Sequence, residues 1–195
     1  MGKIYYMMGK SSSGKDTLFR DISQRMPALR TVVPYTTRPV REGERDGVEY
    51  FFVDEERLCE LMKAGKVIEL RTYDTVHGPW NYFTADDGQI HLEDQDYLMI
   101  GTLESYEKMR EYFGADALVP IYIEVEDGER LSRALARERK QEHPKYQEMC
   151  RRFLADSRDF SEENLERLNI KRRFCNAEKE RCIEEIIEVI DHGKL

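Results

Sequence analysis

The sequence lacks the cysteine and histidine patterns that mark metal sites and disulfide scaffolds. None of its four cysteines forms a C-x-x-C pair, and its four histidines have no ligand spacing beside them. A structural metal site is therefore not indicated. We interpret the cysteines as reduced thiols, which fits a cytoplasmic compartment.

Long apolar runs and an excess of positive charge are also missing. No apolar run approaches the ~20 residues of a membrane helix, and the formal net charge is -8. The N-terminus leads directly into a strand-like stretch without a signal-peptide pattern. We therefore expect a cytoplasmic protein that binds neither membranes nor nucleic acid. A local cluster of arginines in an acidic protein still suits a phosphorylated small molecule.

The order of apolar segments predicts the fold class. In 195 residues there is room for one domain with inserted subdomains. Predicted strands cover residues 4–8, 29–33, 50–53, 67–73, 80–84, 97–102 and 118–125. The first predicted helix ends near residue 26, and further helices are predicted over residues 55–64, 104–113, 128–140, 145–158 and 179–190. Strands that alternate with helices indicate an α/β fold with a parallel sheet. Residues 34–84 are richer in strands, and we expect an inserted antiparallel subdomain there.

A phosphate-binding loop follows the first predicted strand. Gly9 to Lys15 match G-x-x-x-x-G-K between a strand and a helix, the context in which backbone N–H groups cradle phosphates. The alternative is an ordinary Gly- and Ser-rich turn. The residues expected to bind ATP in this segment are Gly9, Ser11, Ser12, Ser13, Gly14, Lys15, Asp16 and Thr17.

Asp16 departs from the usual form of this motif, which has Ser or Thr at that position to bind Mg²⁺. A carboxylate beside phosphates is repulsive unless a cation lies between them. Asp16 is therefore a magnesium ligand, direct or through water, or an acid favoured by the helix dipole. We favour the magnesium ligand.

A second motif lies in the predicted loop of residues 36–53. Arg38 and Arg41 are suited to bidentate hydrogen bonds with a phosphate monoester. Glu44 is placed to hold one guanidinium in position, and the Tyr50 hydroxyl is a further donor. Solvated loop charges are the alternative, which the regular spacing disfavours.

Together these motifs resemble the guanylate kinase family. That family carries a phosphate loop, then T-T-R-x-x-R-x-x-E-x-x-G-x-x-Y-x-F, then a short helix and F-[IL]-E, here Val67-Ile68-Glu69. The resemblance extends to about residue 190 and implies a single domain. It implies a P-loop NTPase core with a parallel sheet, an acceptor-binding insert and a helical lid. The core would be residues 1–33, 85–130 and 160–190, the insert residues 34–84, and the lid about residues 131–159.

The resemblance also implies an activity: transfer of the γ-phosphoryl group of ATP to GMP or dGMP with Mg²⁺, in a monomer or homodimer. The acceptor-binding residues it implies are Arg38, Arg41, Glu44, Tyr50, Glu69, Tyr82 and Thr84. The catalytic residues it implies are Lys15, Arg41, Arg137 and Arg152, with Arg139 as the alternative to Arg137. Asn176 would lie near the adenine of ATP.

Glu69 has a physical reason to read guanine. Guanine presents two neighbouring donors, N1–H and the 2-amino group, and one carboxylate accepts both. Adenine presents a lone pair at N1, which a carboxylate repels. A buried polar group left unpaired in this way discriminates strongly.

Three departures from the family pattern bear on substrate and metal. Pro34 replaces a serine that donates to the guanine 6-oxygen. The strand segment that usually carries acids has Ile100 and Thr102 instead. Asp16 adds an acid in the phosphate loop, which we interpret as compensation for the strand acids.

The departures leave two alternatives open. One is a sibling kinase for another phosphorylated acceptor, such as a different nucleoside monophosphate or ribose 1,5-bisphosphate, whose kinases carry a similar G-K-D loop. The other is a binding module that has lost catalysis, which the intact Lys15 disfavours.

Overall fold

The structure is a computed structural model that describes residues 2–75 and 78–192. Its main sheet has five strands in the order β2-β7-β1-β8-β9. The strands are β1 (Ile4–Gly9), β2 (Arg30–Thr31), β7 (Tyr97–Ile100), β8 (Leu118–Glu124) and β9 (Arg173–Cys175). Every pairing in this sheet is parallel. The α/β fold predicted from the sequence is confirmed.

A second sheet is built from residues 35–85, in the order β4-β3-β6-β5. The strands are β3 (Tyr35–Thr36), β4 (Phe51–Phe52), β5 (Val67–Thr75) and β6 (Gly78–Ala85). The β5–β6 and β3–β6 pairs are antiparallel. The β3–β4 pair is parallel, so the expectation of a wholly antiparallel subdomain was wrong for this pair.

Seven helices surround the sheets within the described residues. They are α1 (Lys15–Arg25), α2 (Glu55–Lys63), α3 (Leu103–Phe113), α4 (Asp127–Glu138), α5 (Tyr146–Asp159), α6 (Glu162–Arg167) and α7 (Lys179–His192). Capping residues define several starts: Asp54 accepts a hydrogen bond from the N–H of Arg57 and Thr102 from that of Ser105. Such side-chain acceptors satisfy N–H groups that a helix leaves free. Among the described helices, none combines the length and hydropathy needed to cross a membrane.

The core lies on both faces of the main sheet. Strand β1 is buried along its whole length because it pairs with β7 on one side and β8 on the other. Alternate β1 residues pack in opposite directions, with Tyr6 against Tyr106 of α3 and Met7 in the cluster that contains Ile183 of α7. Burial on both faces fixes where β1 ends, and the phosphate loop begins at that end.

Three short elements were not predicted, and several strands are shorter than expected. The sequence interpretation missed β3, α6 and β9, which have two, six and three residues. The strand expected over residues 29–33 keeps only the Arg30–Thr31 pairing. The strand expected to continue to Thr102 ends at Ile100, because Thr102 caps α3.

The end of β7 leaves no space for a side chain at Gly101. A Cβ atom placed on Gly101 would lie 2.0 Å from the Tyr6 hydroxyl and 2.8 Å from the ring carbon that carries it. The Tyr6 hydroxyl donates to Ser105 over 2.7 Å, and burial raises the pKa of this tyrosine well above its ordinary value. The tyrosine is therefore held in place, and no side chain fits at position 101.

We expect Gly101→Ala to lower the free energy of unfolding by about 1–3 kcal/mol, since overpacking displaces a fixed buried ring. The matched control is Gly128→Ala in α4, where the new Cβ would approach only the exposed carboxylate of the capping residue Glu126, at 3.0 Å, and no buried ring. The control should be neutral or slightly stabilising. Urea unfolding of both variants tests this, and equal stability of the two would contradict it.

Candidate active site

The phosphate loop turns sharply between β1 and α1. Ser12 and Gly14 both have positive φ, 65° and 86°. The Asn176 side chain donates to the carbonyl of Ser13 over 2.7 Å, and a Cβ on Gly14 would lie 2.4 Å from the same amide nitrogen. Glycine is therefore required at position 14 for both conformation and space. Asn176, expected near adenine, contacts the loop backbone.

Two loop hydroxyls lack partners inside the described part of the chain. The Oγ atoms of Ser12 and Ser13 are buried without a hydrogen bond. Buried polar groups are nearly always satisfied in folded proteins. A bound phosphate would supply acceptors to these hydroxyls.

Lys15 and Asp16 begin α1 as neighbouring opposite charges. The Lys15 ammonium lies 3.4 Å from the Asp16 carboxylate, which is 84% exposed. Thr17 is also exposed. Over residues 2–75 and 78–192, no group of three or more His, Cys, Asp or Glu side chains forms a ready metal cage.

Arg38 is the buried centre of the second motif. Its guanidinium makes a bidentate pair with Glu44, at 2.7 and 2.6 Å, and lies over the rings of Tyr50 and Phe52. The hydrogen bonds from Arg38 lower the pKa of Glu44. The Nε atom of Arg38 is buried and has no partner among the described residues.

The other residues of this motif surround Arg38. Glu44 also accepts the backbone N–H of Arg41, whose exposed side chain has no partner in the described ranges. The rings of Tyr50 and Tyr82 meet edge to face, with centroids 5.7 Å apart. Burial raises the pKa of the Tyr50 hydroxyl, as do Tyr82 and the charge of Asp16, while the charges of Arg38 and Arg71 lower it. The residues of the second motif thus form one cluster around Arg38, with Asp16 of α1 within electrostatic range.

Glu69 lies in a buried polar pocket on β5. Thr84 donates to its Oε1 atom over 2.8 Å. Arg71 donates to both carboxylate oxygens, over 2.8 and 3.2 Å, and to the Thr102 hydroxyl over 3.1 Å. The structure therefore brings Glu69 and Thr84 together and adds an arginine that the sequence interpretation did not single out.

The lid helices lie directly on the phosphate loop. Arg152 of α5 donates to the Ser11 hydroxyl over 3.2 Å, and Asp156, one helical turn later, accepts the Ser11 N–H over 2.8 Å. Arg130 of α4 is 1% exposed and bonds to the Ser11 carbonyl and to the carboxylates of Asp127 and Asp156. The Asp156 carboxylate thus accepts a hydrogen bond from an N–H group of the loop.

The lid arginines Arg133, Arg137 and Arg139 make no hydrogen bond to the described residues of the loop, although Arg133 lies close to Gly14. Arg133 pairs with Glu129 and donates to the carbonyl of Asn176. Arg137 and Arg139 are exposed, and their side chains have no hydrogen bond or ion pair to any described residue. The choice between Arg137 and Arg139 therefore stays open.

Three residues at this site escaped the sequence interpretation: Arg71, Arg130 and Asp156. Each belongs to a stretch dense in charge, where sequence alone does not separate buried from solvated side chains. Arg71 carried the clearest signal, since it follows Glu69 by two and therefore shares its face of a strand.

Comparisons with known proteins agree with the motifs. The guanylate kinase family model matches residues 1–87. A guanylate kinase of Frankia casuarinae is 46% identical over 63 residues, which are 32% of this chain and 34% of that protein. A guanylate kinase of Bradyrhizobium diazoefficiens is 37% identical over 114 residues, 56% of this chain and 51% of that protein. The chain thus spans between a third and half of the length of these relatives.

The likeness in fold extends further than the likeness in sequence. The crystal structure of guanylate kinase from Anaplasma phagocytophilum has a TM-score of 0.63 and covers 100% of this chain and 87% of its own, at 19% identity. That comparison bears on the fold alone. The resemblance inferred from the two motifs is confirmed: the chain is similar to guanylate kinases, in sequence over its N-terminal part and in fold along its whole length.

Proposed function

We propose that this protein transfers the γ-phosphoryl group of ATP to GMP, giving ADP and GDP. The observation that carries the proposal is the presence of two sites suited to phosphates. One is the loop before α1, whose buried hydroxyls lack partners among the described residues, and the other is the buried Arg38 of the second motif. The charge of Asp16 at the start of α1 contributes to raising the pKa of Tyr50 beside Arg38, which indicates that the two sites are near each other. A donor and an acceptor phosphate held in this way suit direct transfer between them.

On the donor side, we assign the phosphate loop and Lys15 to the β- and γ-phosphates. The backbone N–H groups of the loop and the positive end of α1 would stabilise the negative charge. The hydroxyls of Ser12 and Ser13 would gain acceptors on binding. Asn176 would act by holding the carbonyl of Ser13, which fixes the shape of the loop.

The residues near the loop fit a magnesium ion. Mg²⁺ is usually bound by one or two carboxylates together with substrate phosphates, and Asp16 offers an exposed carboxylate beside Lys15. When bound, the ion would neutralise charge on the phosphates. Asp16 and the hydroxyl of Thr17 are the side chains that would hold it, directly or through water.

On the acceptor side, we assign the phosphate of GMP to Arg38, Arg41, Tyr50 and Tyr82. Glu44 would position Arg38, and Glu69 with Thr84 would bind the base. Arg152 and Arg137 would stabilise the group in transfer once the lid rearranges. Because Asp156 accepts the Ser11 N–H, which a phosphate of ATP would also bind, we infer that this carboxylate moves when ATP binds. We place the reaction in the cytoplasm, where reduced cysteines persist.

Lys15→Met should lower the rate of phosphoryl transfer at least about a hundredfold, since a charge opposite the developing negative charge is lost. The matched control is Lys63→Met, an exposed lysine at the end of α2. The assay measures ADP release with GMP, dGMP, AMP, UMP, CMP and ribose 1,5-bisphosphate. Transfer to no nucleotide by the wild type would refute the proposal, and near-normal transfer by a folded Lys15→Met variant would refute the assignment to this loop.

Arg38→Met should raise the KM for the acceptor about ten- to a hundredfold while the Kd for ATP stays within about twofold. The reason is that a charge-assisted hydrogen bond contributes about 1.5–3 kcal/mol. The control is Arg45→Met, an exposed arginine of the same loop. Acceptor kinetics and ATP titration are measured separately. Equal weakening of both substrates would contradict the acceptor assignment.

Asp16→Asn should raise the magnesium concentration for half-maximal rate about tenfold, because the only carboxylate of the proposed ion site is neutralised. Asp21→Asn is the control: it lies on the same helix but pairs with Lys179. If Asp16 serves only the helix dipole, its loss changes stability by about 1 kcal/mol or less and leaves the magnesium dependence unchanged. An unchanged magnesium dependence would therefore exclude Asp16 as a ligand.

A further inference from the structure

The acceptor pocket contains a buried ion pair at one end of the second sheet. Glu69 and Arg71 lie two residues apart on β5 and therefore on the same face. Their side chains are 1% and 12% exposed. Arg71 pairs in register with Tyr82 and Glu69 with Thr84, so the ion pair is continuous with the residues assigned to the acceptor.

This pair is poorly explained as a stabilising element alone. Withdrawing two charges from water is costly, and buried ion pairs are often no better for stability than apolar packing. Burial disfavours the charged form of Arg71, yet the charge of Glu69 and its hydrogen bonds hold the pKa of the guanidinium above its ordinary value. The guanidinium therefore stays charged beside the Glu69 carboxylate, and both groups keep hydrogen-bonding positions that no described residue occupies.

Both side chains have donor or acceptor positions that no described residue uses. Glu69 accepts three hydrogen bonds, one from Thr84 and two from Arg71, while a carboxylate has about four acceptor positions. Arg71 uses three N–H groups, two on Glu69 and one on Thr102, and a guanidinium has about five. The pair thus offers about two donors beside about one acceptor.

Pro34 contributes no donor to this pocket. It precedes Tyr35, which pairs with Phe83, so the same register places it beside Thr84 in the row that ends at Glu69. Proline has neither a hydroxyl nor an N–H group, and its carbonyl accepts the N–H of Phe51. The Thr84 hydroxyl already donates to Glu69, so a donor for the acceptor base must come from outside this row. Arg71, in the adjacent row with Tyr82, is bonded to Glu69 and has N–H groups that no described residue uses.

The pattern of donors and acceptor matches guanine. Along one edge, guanine presents N7 and the 6-oxygen as acceptors and then N1–H as a donor. Arginine commonly binds the two acceptors together. Adenine presents an acceptor, a donor and an acceptor in the same order, which opposes both Arg71 and Glu69. Binding of a second phosphate at this pair, as ribose 1,5-bisphosphate would require, is disfavoured because the pair carries no net charge and Glu69 repels anions.

We propose that Arg71 is a specificity-determining residue that donates to the 6-oxygen and N7 of the guanine acceptor while Glu69 accepts N1–H. This inference rests on the proposed function, since it concerns the base of the same acceptor. It has a distinctive consequence: Glu69 has room for about one more hydrogen bond, so the 2-amino group of guanine contributes little. IMP, which keeps the 6-oxygen and N1–H but lacks that amino group, should be used within about tenfold of GMP.

The test compares kcat/KM for GMP, IMP, AMP and 6-thio-GMP in the wild type, Arg71→Met, Arg71→Lys and the control Arg57→Met. Arg57 is an exposed arginine of α2 that pairs with Glu60. The wild type and control should prefer GMP over 6-thio-GMP by about ten- to a hundredfold, because sulfur is a poor acceptor for a charged donor. In Arg71→Met that preference should collapse to about twofold. The preference for GMP over IMP should widen as Glu69 regains acceptor capacity.

Ratios between acceptors separate recognition from damage to the fold, because a merely structural role would lower all rates together. If Arg71→Met does not fold, Arg71→Lys retains the charge beside Glu69 and should show an intermediate preference. An unchanged preference for GMP over 6-thio-GMP in a folded variant overturns the inference and leaves the proposed function standing. Equal use of AMP and GMP by the wild type also overturns it. Failure with every nucleotide overturns both.

Discussion

Strand β1 is the constraint on which the rest of the molecule depends. It is hydrogen-bonded on both edges, to β7 and β8, and packed on both faces. Because both edges and both faces of β1 are in contact with other elements, the position of its last residue is fixed, and the phosphate loop starts there. A Cβ on Gly9 would lie 2.6 Å from the carbonyl of Ile123, so the loop leaves the sheet in close contact with β8. The position of α1 and its positive end follows from this geometry.

Asn176 extends that constraint to the C-terminal part of the chain. It follows β9, its N–H is bonded to the carbonyl of Glu124, and its side chain holds the carbonyl of Ser13. Arg130 and Asp156 bring the lid against the same loop through Ser11. The loop is therefore surrounded by groups from β9, α4 and α5, and the Asp156 carboxylate lies where an anion would compete with it.

The proposed acceptor side is organised by two arginine–carboxylate pairs. Glu44 fixes Arg38 over the rings of Tyr50 and Phe52, and Glu69 fixes Arg71 beside Thr84. Bidentate pairs of this kind restrict the orientation of a guanidinium and leave its other N–H groups aimed in a defined direction. Under the proposed function, the first pair would bind the phosphate and the second the base edge, so the same kind of pair would serve both ends of the nucleotide.

The sequence by itself determined the α/β class, the phosphate loop and the T-T-R segment, because period, glycine placement and motif spacing are local. It also showed Pro34 and the missing strand acids as departures. Only the tertiary structure decided that Arg71 neutralises Glu69, that Tyr6 fills the space beside Gly101, and that β9 completes the sheet. These features depend on which distant side chains share a buried space. Short strands and charged residues carry no local signal of that, since burial is fixed by the neighbours that the fold supplies.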